Sequence, residues 1–141
     1  MAKLHEQVEA EFENIERTLA DIPDSDSLSN LSRLELAGLA TLLNNFYNGI
    51  ENILKTVMTT KGMNLPDGPS WHRDLLNAAK SLNIISESSA GKLKQYLAFR
   101  HFYIHSYSFD LDAEQMENLI KDILIVYDRF KDEIQKTIRR F

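Results

Sequence analysis

With 141 residues, no cysteine and a formal net charge of -5, the chain has room for one core but for no disulfide framework, thiolate metal site or cysteine nucleophile. Its composition, 43% hydrophobic and 26% charged with 5 Gly and 3 Pro, is globular and poor in breakers, which favours long helices over many short strands. The acidic balance excludes a global attraction for nucleic acid but not a small phosphate site, where the local field decides.

From the N-terminus, Leu4, Val8, Phe12, Ile15 and Leu19 recur at spacings of three and four with Glu6, Glu9, Glu13 and Glu16 between them. This pattern predicts an amphipathic helix over about residues 3–20 with a solvated acidic face. Turn and cap residues from Ile22 to Ser27 predict a loop. Ser32-Arg33-Leu34-Glu35 is a capping-box sequence, followed by Leu39, Leu42, Leu43, Phe46, Ile50, Ile53, Leu54, Val57 and Met58 at helical spacing to about Lys61. This is the longest predicted helix and the expected centre of the fold. Inside it, Gly49 costs about 1 kcal/mol relative to alanine, so it either admits a neighbouring helix at close range or is simply tolerated. Gly62 fits a helix stop.

Residues 63–69 read as a turn-rich connection, and Ser70 is predicted to cap a short helix over Trp71–Ala79. Trp71 reads as an apolar anchor rather than a platform for stacking a base. Its neighbours His72, Arg73 and Asp74 are candidates to supply polar groups to a nearby cleft. Ser86 is predicted to cap the next helix, which carries Leu93, Tyr96 and Leu97. Asp110-Leu111-Asp112 interrupts it, and Asp112 with Gln115 opens a last helix with Met116, Ile120, Ile123, Tyr127, Phe130, Ile134, Ile138 and Phe141 on one stripe. That stripe reads as core, with an intermolecular seam as the alternative. Lys136, Arg139 and Arg140 complement the end of the helix dipole.

The expected architecture is therefore all-α: four main helices plus a short one in an up-and-down antiparallel bundle, a single domain over residues 1–141. No apolar run has signal-peptide length at the start, and the longest later one, Ile123–Tyr127, is too short to span a bilayer. A soluble, cytoplasmic protein with no membrane partner is expected.

The chemistry concentrates in Phe99–Tyr107, where Arg100, His101, His105 and Tyr107 fall within two helical turns. On one helix over residues 96–107, His101 and His105 would share a face and Arg100 and Tyr107 would nearly align. Arg100 and His105 would stand roughly 140° apart about the axis. They can work together only if the helix bends or ends near Ser106, or if a second chain completes the site. Three readings follow. Two histidines one turn apart can ligate a metal, although no adjacent Glu and no third ligand can be named. They can be structural, hydrogen-bonded at a helix junction. Or the arginine, shaped for phosphate oxygens, and a histidine able to exchange protons can cleave RNA without metal or cofactor. In that case His105 takes the proton from a ribose 2'-OH and Arg100 stabilises charge building on the phosphate.

Arg100-His101-x-x-x-His105 resembles the R-x(4-6)-H motif of the HEPN superfamily, in which the residue after the arginine is usually Asn, Asp or His. With Tyr107 included, Arg100-x-x-x-x-His105-x-Tyr107 resembles the R-x4-H-x-Y motif of HepT-like ribonuclease toxins. Trp71-His72-Arg73-Asp74-Leu75-Leu76 and Phe109-Asp110-Leu111-Asp112 are also similar to HepT-like sequences, and the resemblance covers roughly residues 30–141. It implies a helical homodimer with a composite cleft at the subunit interface, metal-independent endoribonuclease activity, and a minimal nucleotidyltransferase antitoxin that transfers AMP to the motif tyrosine. Carried over, Arg100 and His105 are the catalytic pair, His101 is supporting and Tyr107 is the modification site. AMP on Tyr107 would add charge and bulk where RNA phosphate must sit. Two positions depart from the pattern: Ile104, where related sequences often carry a basic residue, and Ser108, where glycine is common. The rival class is a non-catalytic helical module that docks a nucleotidyltransferase or a nucleotide.

Overall fold

The amphipathic segments all become helices in the computed structural model, which describes residues 2–141. They are α1 (Ala2–Ala20), α2 (Arg33–Thr60), α3 (Trp71–Ser81), α4 (Glu87–His105) and α5 (Ala113–Arg139). Short 3-10 segments lie at Ser25–Asn30 and Ser108–Asp110, and no strand occurs among the described residues. The loop expected after Ile22 thus gives way to a 3-10 turn, which packs against α5 and buries Leu28 in the core.

Three of the predicted caps form with the expected donors and acceptors. The Ser32 hydroxyl accepts from the Glu35 N–H at 3.1 Å, and the Glu35 carboxylate accepts from the Ser32 N–H at 2.9 Å. Asp112 and Gln115 make the same reciprocal pair at 3.0 Å each. The Ser86 hydroxyl accepts from the Ser89 N–H at 3.0 Å. Each cap satisfies donors that the first helical turn leaves without intrahelical partners. Ser70 is different: its hydroxyl donates to Asp74 Oδ2 at 3.0 Å and caps no N–H. The reason is backbone geometry, because Ser70 sits at φ -106°, ψ 21° rather than in the extended conformation a capping side chain requires. The turn in which the Trp71 N–H donates to the Gly68 carbonyl carries the chain into α3 instead.

Side-chain pairs give the topology directly. Ser88, Lys92 and Tyr96 of α4 meet Arg129, Asp122 and Leu119 of α5, so partners descend as α4 ascends. Thr41 and Asn48 of α2 likewise meet Tyr103 and Arg100 of α4. Between α1 and α5, Phe12 and Glu16 meet Tyr127 and Lys131, while His5 and Glu9 lie by Gln135, Ile138 and Arg139. The four long helices therefore form an up-and-down antiparallel bundle, with short α3 laid between α2 and α4.

Helix α2 packs against each of the other four, which is why it carries the longest apolar stripe. Phe46, Ile50, Ile53, Leu54 and Val57 are buried with Phe12, Leu76, Leu93 and Phe130 in one core. At Gly49 an added Cβ would lie 2.5 Å from Ile15 Cγ1 and 2.9 Å from its Cδ1, so the glycine sets how closely α1 approaches. Gly62 ends the α2 region at φ +79°, a conformation that favours a residue without Cβ. On α5 the predicted stripe from Met116 to Ile134 faces inward, and Ile138 and Phe141 pack partly against the same core. Among the described residues no helix is long and apolar enough to cross a membrane.

Candidate functional site

Helix α4 stops at His105, within the focal stretch. Ser106 turns to extended backbone at φ -106°, ψ 165°, and both its N–H and its hydroxyl donate back to the Tyr103 carbonyl. Of the options the spacing left open, the helix ends near Ser106, so Tyr107 lies beyond it and is not aligned with Arg100 on a helix face. It stands 71% exposed, its ring stacked on Phe109 at 5.3 Å and 6°, with its N–H donating to Asp110 Oδ2 at 2.9 Å. Ser108 opens the following 3-10 turn without a positive φ, so the turn needs no glycine there.

The exposed rings of His101 and His105 meet edge-on with centroids 4.7 Å apart. Arg100, half-buried, turns towards α2, where its Nε donates to Asn48 Oδ1 at 3.2 Å. That bond fixes the guanidinium while leaving its other donors for an anion. Arg100, His101 and His105 nevertheless line one cleft of about 540 Å³ between α3 and α4. Its other polar walls are Ser70, His72 and Arg73, and its apolar walls are Pro69, Leu97, Ala98 and Ile104. No carboxylate lines it. In a chain of net charge -5, this concentrates two guanidiniums and three imidazoles around one concave surface, the local field a phosphate needs. His72 and Arg73 thus join the cleft, whereas Asp74 turns to Ser70. Among the described residues no three His, Asp or Glu side chains are grouped closely enough to hold a metal ion.

Beneath the cleft lies a pair that periodicity alone did not single out. Glu51 of α2 is only 3% exposed, and both its carboxylate oxygens reach His72 Nδ1, at 2.7 and 3.0 Å. The His72 ring lies on the Trp71 indole, with centroids 3.6 Å apart. Trp71 in turn packs against the edge of the core, as an anchor does. One turn before Glu51, the buried Tyr47 phenol has its pKa pushed far up, first by burial and then by the Glu51 charge, with Arg100 opposing. Tyr47 is therefore a neutral phenol at physiological pH. The signal for Glu51 is present in the sequence: it is an acid four residues after Tyr47 and three before Leu54, on the apolar face of α2. Asn48 carries no such signal.

The sequence model of a family described as HepT-like protein matches residues 38–141, which span most of α2 and all of α3, α4 and α5. The chain belongs to the HepT-like family. The match takes in the whole cleft of this HepT-like chain, with His72 and Arg73 in its α3 wall, and also Asn48 and Glu51, which bond Arg100 and His72 from α2. Helix α1, which leans on Gly49 from outside the matched region, buttresses the HepT-like part of the core. No curated protein and no solved structure matches the chain.

Proposed function

We propose that this HepT-like chain, acting as one helical domain over residues 1–141, is a metal-independent endoribonuclease with Arg100 and His105 as its catalytic pair. The observation that carries the reading is the cleft itself, a concave surface lined by Arg100, His105, His101, His72 and Arg73 and free of carboxylates. Arg100 can accompany a phosphate as charge builds on its oxygens, because its Nε is already held by Asn48 and little ordering remains. His105 stands exposed at the helix end, where an imidazole can reach a ribose 2'-OH, and His101 supports its ring. A purely structural role would have these side chains buried and fully hydrogen-bonded. His105 is instead exposed, and Arg100 is half-buried with one donor engaged.

The protein functions in the cytoplasm as a homodimer whose clefts combine. The exposed Ile104 and Phe109 on either side of His105, at 50% and 64%, are apolar surface available for that contact. Its partner is a minimal nucleotidyltransferase antitoxin. The exposed Tyr107 hydroxyl attacks the α-phosphorus of ATP and releases its proton to solvent, pyrophosphate leaves, and the attached AMP brings a phosphate and a nucleoside to within two residues of His105. The added negative charge competes with RNA for Arg100.

Purified protein incubated with RNA in EDTA should cleave it, and Arg100→Ala and His105→Ala should each leave it intact. If wild type, with Tyr107 confirmed unmodified, leaves RNA as intact as the variants do, the chain is not a ribonuclease. The second reading, a non-catalytic module that docks the nucleotidyltransferase or a nucleotide, is favoured by the stacked and exposed Tyr107–Phe109 pair. Growth inhibition on expression that disappears with His105→Ala separates the two. Co-expression with the nucleotidyltransferase should add the mass of AMP to wild type and none to Tyr107→Phe, and an unchanged wild-type mass would exclude that pairing.

A further inference from the structure

Cleaving RNA by its own 2'-OH moves two protons. The 2'-oxygen attacks phosphorus and gives its proton to a base, while the bond from phosphorus to the 5'-oxygen breaks and that oxygen takes a proton from an acid. The products are a 2',3'-cyclic phosphate and a 5'-hydroxyl. In-line displacement puts the attacking and leaving oxygens on opposite sides of the phosphorus, so base and acid belong on opposite walls of a cleft. His101 cannot be the second group on that ground, because it shares the α4 wall with His105 and packs against its ring.

The facing wall carries His72. We infer that His72 is the general acid that protonates the leaving 5'-oxygen, held in place by the buried carboxylate of Glu51; this rests on the ribonuclease reading above. Its Nδ1 is committed to Glu51 at 2.7 and 3.0 Å, so Nε2 is the ring nitrogen left for a substrate in the cleft His72 lines. A carboxylate on one ring nitrogen fixes both the ring plane and the position of the proton, as in catalytic histidine–carboxylate pairs. When it carries the proton to be donated, the ring forms an ion pair with the buried carboxylate, and it lies on the π-face of Trp71. Glu51 touches no substrate and is a positioning residue. Its burial has a function under this reading: a surface carboxylate in the cleft would repel the phosphate, whereas one underneath acts only through His72.

The test uses RNA whose scissile 5'-oxygen is replaced by sulfur, because a thiolate leaves without a proton. His72→Asn keeps a side-chain N–H for Glu51 while removing Nε2, and its thermal unfolding checks that the fold is intact. It should cut ordinary RNA about 10²–10⁴-fold more slowly than wild type, the usual weight of one acid–base group. It should regain nearly wild-type rate on the sulfur-substituted RNA. Glu51→Gln should show the same selective rescue from a smaller initial loss, and His105→Ala should stay slow on both substrates. If His72→Asn cleaves ordinary RNA at wild-type rate, or is slowed equally on both substrates, His72 is not the acid although the ribonuclease reading stands. If wild type with Tyr107 unmodified cuts neither substrate in EDTA, the ribonuclease reading falls and takes this assignment with it.

Discussion

Replacing Gly49 by alanine sets two opposite effects against each other at one atom. Taken alone, α2 should gain about 1 kcal/mol, the difference between glycine and alanine in a helix interior. The new Cβ, however, would lie 2.5 Å from Ile15 Cγ1 and 2.9 Å from Cδ1. Ile15 is buried and β-branched, so on a helix it has little freedom to rotate away. Relief must come from moving α1 against α2, an overpacking cost of about 1–3 kcal/mol. The clash therefore outweighs the propensity gain, with a net loss of about 1 kcal/mol. Unfolding entropy for a chain of 141 residues is roughly 0.3 kcal/mol per kelvin, so the midpoint should fall by about 3 °C. In an Ile15→Ala background, itself costing about 2–5 kcal/mol, the obstacle is gone and Gly49→Ala should raise the midpoint by a similar amount. Thermal unfolding of the four proteins, followed by far-UV circular dichroism, measures the sign in each background. A Gly49→Ala that stabilises the otherwise unchanged chain, or that shifts both backgrounds equally, would refute the claim that Ile15 is what the glycine accommodates.

Two further outcomes probe the support of Arg100 and the outer edge of the bundle. Asn48→Ala removes the bond that holds Arg100 Nε. RNA cleavage should slow about fivefold for the loss of about 1 kcal/mol of positioning, with the unfolding midpoint nearly unchanged; an unaltered rate would show that Arg100 needs no such support. Glu16 accepts hydrogen bonds from Lys131, at 2.7 Å, and from Tyr127, which hold its carboxyl below the usual range against the opposing effect of burial. A lowered folded value means that the stabilisation is present above the unfolded value of about 4.3 and is lost as pH falls through the folded one. Half-exposed as this pair is, Glu16→Gln should lower the neutral-pH midpoint by only about 1–3 °C, and the difference should vanish in acid below the carboxylate range. A gap that persists undiminished there would mean that the carboxylate charge is not its source.

Much of the fold was legible because its signals act within one or two helical turns. Apolar spacing located five helices, and the caps at Ser32, Ser86 and Asp112 follow from side chains reaching an N–H three residues on. Ser70 misled because a capping residue in sequence does not guarantee a capping backbone, and the turn from Gly68 had already carried the chain into α3. Tyr107 shows the limit of spacing, which has meaning only where the helix continues: α4 ends at His105, at the end near Ser106 that the sequence left open.

The sequence by itself determined the helical class, the order and approximate limits of the helices, the family resemblance and the candidate residues Arg100, His101, His105 and Tyr107. Only the tertiary structure decided which of them share a surface. It placed Arg100 and His105 on one acid-free cleft, brought Asn48 to Arg100 across 52 positions, seated His72 on Glu51 across 21, and left Tyr107 outside the cleft on the turn beyond it. The physical reason is range: helix propensity and capping are settled by neighbours in the chain, whereas a buried carboxylate beneath an imidazole exists only after α2, α3 and α4 have packed around a common core.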